Sequence, residues 1–346
     1  MRIGMTLAYS GGFGEAVERL RDLERAGLDI VHVAESYSFD AVSQLGYIAA
    51  RTDRLLIASG ILQIYTRTPS LTAMTAAGLD YVSDGRFSLG IGASGPQVVE
   101  GFHGVVYDAP LARTREVVDI CRQVWRREPL IHQGEHYPIP LPAGRGTGLG
   151  KPLKLINRPV RERIPVIIAA IGPKNVELTA EIAEGWLPAF FHPGRAQDVW
   201  SSSLAAGTAR RDPALGPLDV HASAPLAIGD HLDDLIDLQR PVLALYIGGM
   251  GGRGRNFYND LARRYGYANE AREIQDLYLS GKRREAESAV PEDLLRALSL
   301  IGTRSHVRER LEVYRSAGVS TINVRPVAPD PRHQLDDVAA LRELLG

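Results

Sequence analysis

The chain has 346 residues, of which 45% are hydrophobic and 23% charged; that is the balance of an ordinary globular protein and excludes intrinsic disorder. Lys plus Arg number 40 and Asp plus Glu 41, for a net charge of -1, which argues against a nucleic-acid binder, since phosphate partners call for a basic excess. Cys121 is the one cysteine, so an intramolecular disulfide framework and a cysteine-built zinc site are ruled out.

Short β-branched runs alternate with longer helical patterns along the chain. Arg2–Leu7 reads as a strand, and it meets Ser10-Gly11-Gly12 too soon for a signal peptide. No run approaches the roughly 20 apolar residues of a membrane helix, so a cytoplasmic protein with no membrane partner is expected. Gly14–Ala26 reads as a helix closed by Gly27. Then come a strand Ile30–Ala34, a helix Asp40–Arg51, a strand Leu55–Ile61 and a helix Pro69–Val82 with proline at its start. Arg86–Ile91 is a strand. After it an irregular, glycine-rich stretch is expected to reach Pro110, followed by a helix from about Leu111 to Arg126. Cys121 falls on the apolar stripe of this helix and reads as a small core residue.

Residues 129–165 break the rhythm with many prolines and glycines and a hairpin around Gly134. Strand Val166–Ala170 and helix Asn175–Glu184 restore it, and strands follow near Trp186–Ala189, Val220–Ala227 and Thr321–Val324. A second interruption, 248–290, holds a glycine cluster and then charged helical sequence. Strand–helix alternation implies a parallel sheet covered by helices. The expectation is α/β: one (β/α)8 TIM barrel spanning residues 1–346, with insertions near 129–165 and 248–290.

A barrel carries its site at the C-terminal strand ends. Glu35 directly follows an apolar strand, where a carboxylate can act as acid, base or hydrogen-bond acceptor, or simply cap the next helix. Ser59, Gly60, Ile61 and Gln63 lead into the polar, aromatic loop Tyr65-Thr66-Arg67-Thr68-Pro69. Gly90-Ile91-Gly92-Ala93-Ser94-Gly95 matches G-x-G-x-x-G, but no acidic residue closes a following strand. It reads as a ligand-contact loop, not a dinucleotide site. Ala170-Ile171-Gly172-Pro173-Lys174 turns a strand into a helix whose free N–H groups can bind an anion, with Lys174 adding charge. The nine histidines form no H-E-x-x-H, His132 and His136 straddle a turn, and no metal site is expected. Arg253–Asn259 reads either as a lid over an anionic ligand or as a solvated loop. Trp186, Phe190, Phe191 and His192 read equally as pocket lining or core.

These loops, in this order, resemble the luciferase-like superfamily, in its branch of coenzyme F420-dependent oxidoreductases. The resemblance rests on Tyr65-Thr66-Arg67-Thr68-Pro69, Asp84–Gly92, Ala169–Lys174 and, near the end, Gly302-Thr303 with Val307–Leu311 and Ala317-Gly318-Val319. It implies a barrel that dimerises and holds a deazaflavin at its mouth, over a non-prolyl cis peptide at Gly60–Ile61. By the same resemblance, Glu35 offers its carboxylate to the cofactor, Gly92, Ala93 and Ser94 lie near the ring, and Gly172, Pro173 and Lys174 hold the phosphate and tail. Some relatives carry Asp-His after the second strand, whereas Glu35-Ser36 stands here. A sugar-phosphate dehydrogenase role is thereby put in doubt, and the proton donor is open among Glu35, Tyr65 and Tyr37. The expected activity is hydride transfer between F420 and an electrophilic carbon of a small-molecule substrate. The rivals are an FMN-dependent luciferase-type monooxygenase and a non-catalytic protein that binds F420 or flavin.

Overall fold

The computed structural model describes residues 1–7 and 12–346; Ser10 and Gly11, used above to read the N-terminal stretch, lie outside them. In chain order, β1 (Arg2–Leu7) leads to α1 (Phe13–Ala26), β2 (Ile30–Val33) to α2 (Ala41–Arg51), and β3 (Leu56–Ser59) with β4 (Leu62–Gln63) to α3 (Pro69–Val82). β5 (Phe87–Gly92) is followed by α4 (Pro96–Gly101) and α5 (Pro110–Trp125). A small hairpin, β6 (His132–Gln133) and β7 (Pro138–Ile139), precedes β8 (Val166–Ala169), α6 (Pro173–Ile182), β9 (Gly185–Leu187), α7 (Ala196–Thr208) and β10 (Asp219–Ile228). The helices α8 (Asp233–Ile236), α9 (Arg240–Ala244), α10 (Phe257–Arg264), α11 (Ala268–Leu279), α12 (Arg283–Ser288) and α13 (Glu292–Ala297) form the second insertion. Then come β11 (Leu300–Gly302), α14 (Arg304–Ser316), β12 (Thr321–Pro326) and α15 (Pro331–Leu345).

The strands close a parallel ring in the order β1, β2, β3, β5, β8, β9, β10, β12 and back to β1. This is the (β/α)8 barrel, built from the eight strands the sequence predicts. β4 continues β3 past Gly60–Ile61 and pairs with β5. β11 is an added strand along the C-terminal end of β10; three residues are too few to show a periodic signal.

Strands covered on both faces are mainly apolar, and all four residues of β2 are buried, His32 among them. Ile30, Ala58 and Ile167 pack together inside the ring. The helix-facing core includes fully buried Trp125, Trp186 and Trp200. Cys121 sits in it, fully buried, as read from the helical pattern. A separate apolar cluster joins the second insertion to the barrel: Ile236, Leu243, Ile247, Ile274 and Leu295 pack with Ala227 and Ile301. Among the described residues, no helix is long and apolar enough to cross a membrane.

Two sequence expectations need correction. The stretch from Gly92 to Pro110 is not irregular throughout, because α4 starts at Pro96, where a fixed φ suits a first helical turn. The strand read as Leu55–Ile61 ends at Ser59, where the backbone turns through the Gly60–Ile61 bond. The hairpin around Gly134 is present and is held by Glu116 of α5, which accepts from the N–H groups of His136 (3.2 Å) and Tyr137 (2.9 Å). Its other neighbour is His132 Nε2, at 3.3 Å; among the described residues no acidic, His or Cys cluster could hold a metal.

Candidate active site

Glu35 follows β2 and meets Arg67 of the Tyr65–Pro69 loop. Arg67 Nη1 donates to Glu35 Oε1 at 2.5 Å and Nη2 to Oε2 at 2.9 Å. Arg67 Nη2 also donates to Asp40 Oδ1 at 2.8 Å, and the Ala41 N–H donates to Glu35 Oε2 at 3.0 Å. Glu35 thus caps α2 and clamps two mouth loops together. The two side chains are only 14% and 10% exposed, so the bidentate pair is shielded from water. Hydrogen bonding to Glu35 holds the Arg67 guanidinium still more firmly charged, against the cost of its burial.

Ser59 is committed to backbone: its hydroxyl donates to Gly90 O (2.8 Å) and accepts from Gly90 N–H (2.9 Å), latching β3 to β5. The Gly60–Ile61 peptide is cis. Gln63, 1% exposed, donates from Nε2 to Ser36 O at 2.8 Å, while its Oε1 is buried with no partner. That orphan acceptor at the end of β4 is chemically unfinished, because buried polar atoms are normally paired. On β5, a carbon added to Gly92 would lie 3.2 Å from Ile61 Cδ1 and 3.4 Å from Ala169 Cβ. Ala93 and Ser94 complete this rim, and Ser94 takes a left-handed conformation (φ 59°), uncommon for a residue with a side chain.

The loop from Ala170 to Lys174 is fixed from behind. Trp186 Nε1 donates to Ala170 O at 2.9 Å and Arg264 Nη2 to Ile171 O at 2.7 Å. Arg264 lies 4.7 Å from the Trp200 ring, and its Nη1 is buried without a partner. Gly172 stands at the N-cap of α6 with no side-chain cap, and Pro173 opens the helix. This leaves backbone N–H groups pointing outward with the helix dipole behind them. Lys174 is exposed and pairs with Glu177 at 3.0 Å, which also meets Arg210 at 2.8 Å. Its charge is therefore answered locally.

Tyr65 stands in a groove of about 610 Å³ lined with Arg67, Val106, Asp108, Arg113 and Tyr137. Its hydroxyl donates to Asp108 O at 2.7 Å. Burial, with Tyr107 adding to it, pushes the phenol's pKa up. Beyond β9, Trp186 and Phe191 are core residues, each 1% exposed. Phe190 is half-buried and turns to Tyr246 of the second insertion, 5.1 Å away. His192 packs against Tyr265 at 5.3 Å, and burial lowers its pKa. In the Arg253–Asn259 segment, Arg253 pairs with Asp276 at 2.8 Å and Asn256 caps α10.

The strand-end loops therefore bring Glu35, Gly60, Gln63, Gly92 and Gly172 to one end of the ring. Arg67 and Arg264 are the partners that local sequence rules miss: each acts on a loop far from it in the chain.

Residues 1–321 match the family of luciferase-like monooxygenases. A Mycobacterium tuberculosis (strain ATCC 25618 / H37Rv) protein, provisionally named a coenzyme F420-dependent oxidoreductase, is 40% identical over 346 residues, covering 99% of both chains. The chain belongs to the luciferase-like family. The 5,10-methylenetetrahydromethanopterin reductase of Archaeoglobus fulgidus is 26% identical over 343 residues, covering 97% of this chain and 96% of its own. The solved structure of the coenzyme F420-dependent tetrahydromethanopterin reductase of Methanopyrus kandleri shares the fold with a TM-score of 0.81 at 22% identity, covering 98% of this chain and 97% of that one. Glu35 and Ser36 stand at the mouth, and the Gln63 Nε2 that donates to Ser36 O lies 3.5 Å from His103 Nε2.

Proposed function

We propose that the protein is a coenzyme F420-dependent oxidoreductase that moves a hydride between the deazaflavin and an electrophilic carbon (C=C, C=N or C=O) of a small organic substrate. The observation that carries this reading is Gln63 Oε1: a buried acceptor without a partner, at the mouth of a barrel several of whose sequence relatives are named for F420. A planar heterocycle with ring N–H groups would complete it. Ser59, Gly60, Ile61 and Gln63 would support the ring, with Gly92, Ala93 and Ser94 along its edge. The uncapped start of α6, from Ala170 to Lys174, suits the anionic phosphate and tail. When bound, the reduced deazaflavin supplies a hydride from a carbon that does not activate oxygen as a flavin does.

The chain's own residues orient and enclose. In this reading Glu35 and Tyr65 act by position. Glu35 with Arg67 fixes the β2 and β4 loops, and Tyr65 with Asp108 fixes the adjoining wall. α3 turns an apolar stripe outward through Leu71 (47% exposed), Met74 (52%) and Val82 (57%); contiguous exposed apolar surface marks a contact site, which supports a homodimer. The rival is an FMN-dependent monooxygenase, favoured by the family's description. Equilibrium titration of the purified protein with F420 and with FMN separates the two. F420 binding at least tenfold more tightly is the expected result. Tight FMN binding, with oxygen consumed when reduced FMN is supplied, would overturn it.

A further inference from the structure

The second insertion reaches across the barrel mouth and carries a phenol over it. Tyr246 lies in a π-helical turn, Leu245–Gly249, and such turns misalign backbone carbonyls and recur at functional positions. Here two buried amides satisfy the carbonyls. Asn256 Nδ2 donates to Tyr246 O at 2.9 Å and to Ile247 O at 3.0 Å. Asn259 Nδ2 donates to Ile247 O at 3.1 Å and to Ala271 O at 2.7 Å. Gly248 backs onto Tyr278, where a side-chain carbon would come within 2.5 Å of Tyr278 Cβ. The turn is therefore a built feature with its own supports.

Its product is the placement of one ring. Tyr246 meets Tyr258 nearly edge-on at 4.7 Å and Phe190 at 5.1 Å. Phe190 follows β9 and holds a left-handed conformation (φ 48°), uncommon for a bulky residue. Tyr37 follows β2, four strands round the ring from β9, and faces Phe102 at 6.1 Å. Tyr246 and Tyr37 are close enough for one phenol to affect the ionisation of the other. The insertion is also tied to the β5 side, where Gln97 of α4 donates to Met250 O at 3.4 Å. Tyr246 therefore lies between two aromatic walls on opposite sides of the mouth.

Of the three donors left open by the sequence, two are engaged, and the third, Tyr37, is 68% exposed. Glu35 is locked by Arg67, and the Tyr65 hydroxyl hydrogen is given to Asp108 O. Among the described residues no hydrogen bond engages the Tyr246 hydroxyl. We infer that Tyr246 donates a hydrogen bond and then the proton to the carbonyl or imine of the substrate, and that the substrate is uncharged, with an apolar body held between Tyr37–Phe102 and Phe190–Tyr258. Burial pushes the phenol's pKa up from its ordinary value, so it carries its proton at neutral pH. The step balances. The substrate carbon gains a hydride from the reduced deazaflavin, the C=O π pair forms an O–H bond to the phenolic proton, and water at the mouth returns a proton to the phenolate. The direction of hydride flow in this step rests on the F420 reading; the hydrogen bond does not.

The test uses the full chain and 2-cyclohexen-1-one labelled with carbon-13 at its carbonyl. The wild type should bind the probe and move its carbonyl resonance downfield, the mark of a donated hydrogen bond. Tyr246→Phe should bind about tenfold more weakly and lose that displacement. With reduced F420, kcat on the same enone should fall by about a hundredfold or more in Tyr246→Phe, while affinity for F420 stays within about twofold. No probe binding by the wild type, or equal affinity and carbonyl resonance in the two proteins, would overturn the inference. If F420 binds neither protein, the F420 reading fails, while the carbonyl resonance still decides whether Tyr246 donates to the probe.

Discussion

The clamp between Glu35 and Arg67 can be measured as a coupling energy. Three proteins are needed besides the wild type: Glu35→Gln, Arg67→Met and the double variant. The pair has two charge-assisted contacts, at 2.5 and 2.9 Å, and is largely shielded. Two charges about 4 Å apart attract by about 4 kcal/mol at an effective dielectric of about 20, and desolvation cancels a large part of that. Each side chain also keeps a second partner, Asp40 for Arg67 and the Ala41 N–H for Glu35. The cycle should therefore give a coupling of about 2 kcal/mol, with Arg67→Met alone costing about 3 kcal/mol because it leaves Glu35 buried beside Asp40 without a cation. Urea unfolding supplies all four stabilities. At a slope of about 3 kcal/mol per M, Arg67→Met should lower the midpoint by about 1 M. A coupling below about 0.5 kcal/mol would class the contact with ordinary exposed ion pairs, and Glu35 and Arg67 would not clamp the two loops.

Three further outcomes follow from the geometry. Burial lowers the pKa of His32, with His221 and Arg2 adding to the effect, and lowers that of His221 to about 3, with Arg2 adding. A folded-state pKa below the unfolded value near 6.5 means full stability above about pH 6.5 and loss as the pH falls toward 3, up to about 1.4 kcal/mol per pH unit for each imidazole. Urea midpoints should therefore fall less steeply with acid in His221→Asn than in the wild type, and parallel curves would count against this. Lys174→Ala should change F420 affinity less than about threefold, because Glu177 already pairs the ammonium; a loss of tenfold or more by fluorescence titration would show that the side chain itself grips the tail. Gly92→Ala needs Ile61 and Ala169 to yield by only a few tenths of an ångström, so urea unfolding should show a loss of about 1 kcal/mol. The same variant should lose F420 affinity about tenfold by titration, and unchanged affinity would move the ring away from this rim.

The barrel strands were legible because each is a short apolar run between turn residues, and parallel strands buried on both faces must look like that. α3 matches its predicted bounds, Pro69–Val82, since Pro69 and the Thr68 cap leave little freedom at its start. β11 and α4 were harder: one has three residues and the other six, too few for a period to emerge. The site divides in the same way. Its loops could be found because barrel geometry names the strand ends in advance. Its partnerships could not, because Arg67 meets Glu35 and Arg264 meets Ile171 only after the ring has closed. The π-helical turn at Tyr246 leaves no local pattern either; Gly248 and Gly249 hint at a break, but the amides that support it come from Asn256 and Asn259, beyond the next loop.

The proposed function requires hydride transfer from a deazaflavin at this barrel mouth. The most direct test is isotope tracing with F420 deuterated at its hydride-bearing carbon, mixed without oxygen with the protein and a panel of enones, imines and ketones. Cofactor oxidation with deuterium on the reduced carbon of at least one product is expected. Bound F420 that stays reduced against the whole panel, with oxygen consumed when reduced FMN is offered instead, would contradict it.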